Sequence, residues 1–145
     1  MTDLERVKEW LATFPGHDIL TDMHVDYTDH IPDNGGVFPA GLVELRKRTD
    51  VLGNVTLYNQ RNFAIYYVLE KSPGDDVGAL INASWVEDFQ DWVQEQAARG
   101  LVPKLGDRTT AASAQNGILY DADAEGVATY AVQLSITFQK EIEVK

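Results

Sequence analysis

A two-residue alternation near the C-terminus constrains the fold of this chain more than any other feature. Every second position from Ala128 to Phe138 is apolar or aromatic, and most positions between them carry Thr, Gln or Ser. Successive side chains of a β-strand point to opposite faces of a sheet, so the pattern predicts a strand with one buried face. The segment Ile118–Tyr120 is expected to pair with it across a turn at residues 121–126.

A second alternating region predicts a long hairpin. Residues 43–51 alternate, Gly53-Asn54 supplies a turn, and residues 55–70 are rich in β-branched and aromatic side chains. The charged face of the first strand is predicted to carry Glu44, Arg46, Arg48 and Asp50. Asn59 and Arg61 interrupt the apolar face of the return strand, so this strand is expected to bend or leave the core midway.

Two helices follow from apolar spacing and end signals. Thr2 and Glu5 have the spacing of a capping box, and Pro15-Gly16 ends the first helix. The second helix is predicted from about Ala83 to Arg99, with one broad apolar stripe. The three tryptophans occupy the apolar sides of these helices and are expected in the core.

The remaining segments are predicted as loops. Residues 16–41 are irregular apart from a short strand at residues 24–28, and residues 72–78 form a polar break. Residues 101–116 form a long loop by composition, and loops of this length often have a function. The chain is therefore predicted to be a single domain, 1–145, of the α+β class, with a mainly antiparallel sheet and two helices packed on one face.

Charge and cysteine content exclude several classes of function. The chain has 23 acidic and 12 basic residues, a net charge of −11, and such a surface repels free nucleic acid. It has no cysteine, which excludes disulfides and thiolate metal sites. No apolar run approaches the roughly 20 residues that cross a bilayer, so no membrane association is predicted and synthesis in the cytoplasm is expected.

Catalytic motifs are missing as well. The sequence contains no G-x-S-x-G elbow, no P-loop and no dinucleotide-binding glycine pattern. Its acidic residues are so numerous that no pair of carboxylates stands out as an acid and base. The chain is predicted not to be an enzyme and to need no cofactor.

Two clusters have alternative interpretations. Residues 16–33 contain all three histidines and five aspartates, and His24 and Asp26 would point the same way on a strand, so a small metal- or ligand-binding site is one alternative. No helical or zinc-finger spacing supports it, and a solvated acidic loop is favoured. The basic run at residues 46–48, with Tyr58 and Arg61 nearby, suits phosphate contact, but protection of an edge strand or ion pairing between subunits is favoured on so acidic a chain.

Six stretches spread over nearly the whole chain carry a family resemblance, and none of them is a catalytic signature. They are Leu4–Leu11 with Phe14-Pro15, Asp26–Asp29, Phe38–Gly41, Arg48–Val55, Trp85–Gln96 and Thr129–Val132. In these stretches the chain resembles a family of small proteins from the head–tail region of siphophage-type prophages of Gram-positive bacteria, described as tail-terminator or minor capsid proteins.

The resemblance implies a structural role in a virion, at the tail or head–tail junction, after assembly in the host cytoplasm. Tail terminators form a ring, usually a hexamer, that caps the tail tube and joins it to the head. The expected partners are other copies of the chain, the major tail tube protein and head–tail connector proteins, with DNA only as passing cargo. A minor capsid or head–tail connector role is the alternative. The residues expected at the subunit interface are Arg46, Arg48, Tyr58, Gln60, Arg61, Asp75 and Asp76.

Overall fold

The computed structural model describes residues 1–20, 22–26, 28, 33–70, 76–122 and 126–143. Two helices, α1 and α2, and five strands, β1–β5, make up the regular structure of these ranges. Their bounds are α1 Asp3–Leu11, β1 Asp22–Val25, β2 Asn34–Thr49, β3 Val55–Glu70, α2 Asp76–Ala98, β4 Arg108–Ala122 and β5 Val127–Ile142. A short 3₁₀ helix, Pro15–Ile19, follows α1.

The five strands form one mixed sheet in the order β1-β2-β3-β5-β4. All neighbouring pairs are antiparallel except β1 and β2, which are parallel. The predicted α+β class and mainly antiparallel sheet are therefore confirmed. The two predicted hairpins are also present, because β2 pairs with β3 and β4 pairs with β5.

Both helices cover the same face of the sheet. On this face, every second residue of β3 from Phe63 onward and of β5 from Ala128 to Phe138 is buried. These residues form one hydrophobic cluster with side chains of both helices. The helix residues are Val7, Trp10 and Leu11 of α1 and Val86, Phe89 and Val93 of α2. Burial of such apolar area is the main force that holds two layers together.

Helix α1 begins as its sequence predicts. The hydroxyl of Thr2 accepts a hydrogen bond from the Glu5 backbone N–H, and the Glu5 carboxylate accepts one from the Thr2 N–H. This capping box satisfies backbone donors that have no partner within the helix. The Glu5 carboxylate accepts hydrogen bonds from the Thr2 backbone N–H and, at 3.0 Å, from the Thr2 hydroxyl, and these two bonds stabilise its ionised form and lower the pKa of Glu5.

The predicted start of α2 is wrong, because the helix begins at Asp76 and not near Ala83. The polar break was expected to run to Gly78, yet Gly78 lies within the first turn. A glycine costs a helix roughly 1 kcal/mol relative to alanine but does not end it. Tertiary contact compensates here, since the buried Asn82 side chain donates a hydrogen bond of 2.9 Å to the Glu70 carbonyl oxygen.

The predicted loop at residues 101–116 is also wrong. Only its first part is a loop, and β4 begins at Arg108. The Thr, Ala and Ser residues that suggested a loop pair with β5, and Ala112 and Ala114 lie opposite Ile136 and Leu134. Such small side chains let α2 come close to the strand, as the 3.4 Å hydrogen bond from Gln90 Nε2 to the Ala114 carbonyl oxygen shows.

The irregular segment predicted at residues 16–41 ends earlier than expected. Strand β2 already begins at Asn34, so Phe38 and Pro39 belong to the sheet and not to a loop. Phe38 packs edge-on against Tyr66 with ring centroids 5.1 Å apart. Along β3, Ala64 and Tyr66 alternate with Phe63, Ile65 and Tyr67, which are buried under the helices. Tyr66 and Phe38, the partner of Ala64, therefore lie on the face away from the helices.

Candidate interaction surfaces

The sheet ends in a hairpin that reaches beyond both helices. We call residues 42–58 the distal hairpin; they comprise the second half of β2, a turn and the first residues of β3. Asp50 shapes the turn, since its Oδ1 accepts backbone hydrogen bonds from Leu52 at 2.9 Å and Asn54 at 3.0 Å. Gly53 takes a φ of +87°, which costs glycine less than other residues.

The distal hairpin exposes apolar side chains that a core would normally bury. Every residue of β2 from Pro39 to Thr49 is exposed. At the tip, Val51 and Leu52 are 102% and 78% exposed. The hairpin also exposes the large apolar side chains of Leu42, Val43 and Leu45. Leu42 and Val43 pair with Arg61 and Gln60 and lie on opposite faces of the strand, whereas Val51 and Leu52 are neighbours at the tip, and clustered exposed apolar side chains often mark an interaction site.

A bulge changes the face of the charged side chains on β2. The register shifts between Glu44 and Arg46, so Glu44 pairs with Asn59 while Arg46 pairs with Tyr58. Residues directly opposite on paired strands share a face. Arg46 and Arg48 therefore lie on the face away from the helices and Glu44 on the other, and the predicted single charged face is wrong.

Four of the predicted interface residues lie together on this outer face. The guanidinium carbon of Arg46 is 5.1 Å from the Tyr58 ring centre, a cation–π contact. Arg48 pairs with Thr56 of β3. Thr56, Tyr58 and Gln60 are alternate residues of this strand, so Arg48 and Gln60 share the face of Tyr58. Gln60 Nε2 donates a hydrogen bond of 2.7 Å to Asn62 Oδ1.

The other predicted interface residues lie elsewhere. Arg61 is on the helix-covered face, where its Nε donates a 2.7 Å hydrogen bond to the Asp3 carboxylate of α1. Asp76 is the exposed first residue of α2. Asp75, most of the segment 72–78 and residues 29–32, including His30, lie outside the described residues.

The edges of the sheet are poorly suited to pairing with another strand. In the described ranges, β1 covers only residues 34–37 of β2 and leaves the rest of its outer edge open. That edge contains Pro39, which lacks an N–H donor, two register shifts and the basic run at residues 46–48. The opposite edge strand, β4, has three register shifts. Prolines, bulges and charges are common means of preventing edge-to-edge association.

A second exposed apolar surface lies on the first turns of α2. Val77, Leu80 and Ile81 are 70%, 68% and 64% exposed, and we call them the α2 ridge. Their i, i+3, i+4 spacing places them on one side of the helix. This surface was not predicted from the sequence, because the helix was expected to begin near Ala83, although the spacing of these three residues is a helical signal.

The alternative in which His24 and Asp26 point the same way on one strand differs from the structure. Strand β1 ends at Val25, and Asp26 has a φ of +63°, so His24 and Asp26 do not alternate along one strand. Within the ranges the structure describes, no group of three or more His, Asp or Glu side chains is placed to hold a metal ion.

His17 instead belongs to the aromatic layer beneath α2. Its Nε2 is 2.9 Å from the Tyr67 hydroxyl, and its ring stacks on those of Trp85 and Phe89. Burial disfavours the charged imidazolium and lowers the pKa of His17 to about 4. Burial likewise raises the pKa of Tyr67 well above its usual value. This neutral pair is explained by packing.

Three concave surfaces are lined by described residues. They have volumes of about 190, 230 and 240 Å³, whereas small-molecule sites usually have roughly 300–1,000 Å³. None of the helices described is both long and apolar enough to cross a bilayer. Comparison of the chain with protein-family models and with curated proteins finds no match.

Proposed function

We propose that this protein is a structural subunit that assembles with copies of itself into a tail-terminator-like ring at the end of a phage tail tube. The observation that carries the proposal is the distal hairpin, which holds Val51 and Leu52 in water beyond the helices. Complete burial of a side chain of this size in an interface would contribute about 1.5–3 kcal/mol. A solitary domain gains nothing from leaving these side chains exposed.

The sequence resemblance supports the more specific assignment to a virion. The stretch Arg48–Val55 is part of the resemblance and includes the turn of the distal hairpin. In this role, the partners are the tail tube protein and the head–tail connector, and DNA passes through the ring. The net charge of −11 suits a channel wall to which DNA does not adhere.

The proposal is tested by the assembly state of the full chain and by its partners. Native mass spectrometry and negative-stain electron microscopy should show closed rings, either of the protein alone or after addition of tail tube protein. The protein should co-sediment with tail tubes and stop their growth. A protein that stays monomeric at high concentration, with and without tube protein, would contradict the proposal. Binding to a portal or adaptor in place of the tube would reassign it to head–tail connection.

A further inference from the structure

The distal hairpin and the α2 ridge lie at opposite ends of β3. The strand begins at the hairpin, and its last residue, Glu70, accepts the 2.9 Å hydrogen bond from Asn82, the residue that follows the ridge. Sixteen residues of strand at about 3.3 Å each extend over about 50 Å. One copy of the chain therefore cannot bring its own hairpin tip to its own ridge.

The two surfaces have complementary charge. The hairpin carries the three consecutive basic residues Arg46, Lys47 and Arg48 on a chain that is otherwise strongly acidic. Helix α2 carries five acidic residues and no lysine or arginine. Beyond the ridge, the exposed residues Glu87, Asp88 and Asp91 continue its outer side. Among described residues, neither the basic run nor these three carboxylates form an ion pair.

The order and spacing of the groups also agree. Counted back from the tip residue Val51, in the turn after β2, Arg48 and Arg46 lie at most about 10 and 16 Å away, at about 3.3 Å per residue. Along α2, Glu87 and Asp91 lie about 10 and 16 Å from the ridge residue Leu80, at about 1.5 Å per residue. Seven and eleven residues are close to two and three helical turns, so these carboxylates share the side of Leu80.

We propose that the distal hairpin of one copy docks on α2 of a second copy, with Val51 and Leu52 on the α2 ridge and with Arg48 and Arg46 facing Glu87 and Asp91. This inference rests on the proposed self-assembly and names the surfaces that perform it. The contact joins two different surfaces and is heterologous, the class that forms a ring when the rotation between successive copies closes. The bulged, proline-containing edges favour this side-chain contact over strand addition.

Complementation between two variants tests the contact. The tip variant Val51→Ser/Leu52→Ser keeps an intact ridge, and the ridge variant Leu80→Gln/Ile81→Gln keeps an intact hairpin. All four positions are exposed, so circular dichroism and urea unfolding should match the wild type. Each variant alone should remain monomeric in sedimentation velocity. An equimolar mixture should form a one-to-one heterodimer, because the hairpin of the ridge variant meets the intact ridge of the tip variant.

A charge reversal tests the register. Arg48→Glu should weaken self-association at least tenfold, and Glu87→Arg in the same chain should restore it. The exposed carboxylate Glu9 of α1 provides a matched control, since Glu9→Arg should not restore association. The matched control for the ridge substitutions is Ile118, an exposed apolar residue on β4. Ile118→Thr should leave self-association unchanged.

The outcomes separate this inference from the proposed function. Rings that persist in the tip and ridge variants would overturn the docking contact and leave the ring function standing. The two variants could associate when mixed while the wild type forms nothing larger than a dimer. This result would support the docking contact and overturn the ring function. A wild-type chain that stays monomeric at every concentration, with and without tail tube protein, would overturn both.

Discussion

The imidazole Nε2 of His17 lies 2.9 Å from the hydroxyl oxygen of Tyr67, although 50 residues separate them in sequence. The two rings meet at an angle of 64° in the aromatic layer between the sheet and α2. The contact joins the 3₁₀ helix after α1 to the C-terminal part of β3. It also gives both buried polar groups a partner, which avoids the cost of an unsatisfied group in an apolar layer.

The lowered pKa of His17 should make folding sensitive to mild acid. The pKa is 6.5 in a model compound and about 4 in the folded protein, so the unfolded chain binds the proton more readily. The contribution of neutral His17 to the free energy of unfolding is complete above pH 6.5 and is lost as the pH falls toward 4. We expect the free energy of unfolding to fall by about 2 kcal/mol between pH 7 and pH 5 through this group.

The measurement is urea unfolding of the wild type and of His17→Gln at both pH values. Glutamine offers Tyr67 a hydrogen-bonding group but does not titrate, so the variant should lose clearly less stability than the wild type over this interval. An equal loss in both proteins would mean that other groups cause the acid sensitivity.

Arg61 should contribute to stability and not to assembly, contrary to its predicted place in the interface. Its side chain is 38% exposed and its guanidinium pairs with Asp3 at 2.7 Å, and pairs near the surface contribute about 0.2–1 kcal/mol. Arg61→Ala should lower the free energy of unfolding by about this amount and leave the sedimentation coefficient unchanged. In the Asp3→Asn background, the same substitution should have a smaller effect, whereas strictly additive effects would contradict the pairing.

Gly106 should tolerate alanine much less well than Gly100. Both glycines have positive φ, +56° and +72°, but a Cβ at Gly106 would lie 2.6 Å from the Gln139 carbonyl oxygen and 2.8 Å from the Phe138 ring. At Gly100 nothing lies within 4 Å. Gly100→Ala should cost about 1 kcal/mol from backbone strain alone. Gly106→Ala should cost roughly 2–3 kcal/mol, because the loop must also move away from β5. Equal shifts of the urea midpoint would show that this loop adjusts freely.

Asn82 should hold the first turns of α2 in place. Removing its amide leaves the Glu70 carbonyl oxygen without this donor, which typically costs about 1–3 kcal/mol. We expect Asn82→Ala to accelerate hydrogen exchange of residues 76–82 more than that of residues 86–98. Ser84→Ala is the matched control, since Ser84 is exposed on the same helix. Uniform acceleration along α2 in Asn82→Ala would indicate global destabilisation in place of local fraying.

Local patterns predicted the elements whose stability is local. The capping box of Thr2 and Glu5 and the alternation of β5 operate over a few residues, and both are present in the structure. The pairing of Ile118 and Leu119 with β5 was also predicted correctly, since these residues lie opposite Ala131 and Tyr130. Helical spacing alone placed the tryptophans on the apolar sides, and Trp10 is buried in the core as expected, whereas Trp85 and Trp92 are partly buried against it.

Long-range contacts decided what those patterns could not. Arg108–Ser113 became a strand because β5 offers an unpaired edge, and Asp76–Asn82 became helix because Asn82 bonds to Glu70. The bulge beside Arg46 and the pairing of Arg61 with Asp3 placed these two arginines on opposite faces. Apart from the helical spacing of Val77, Leu80 and Ile81, these features leave no signal in the neighbouring sequence.

The sequence by itself determined the α+β class, the two hairpins, the apolar sides of the helices and the absence of cysteine chemistry. Periodicity and composition suffice for these properties because each depends on residues close together in the chain. Only the tertiary structure decided which apolar side chains stay in water. The exposure of Val51, Leu52 and the α2 ridge depends on where the layers of the fold end, and that boundary is set by contacts between residues far apart in sequence.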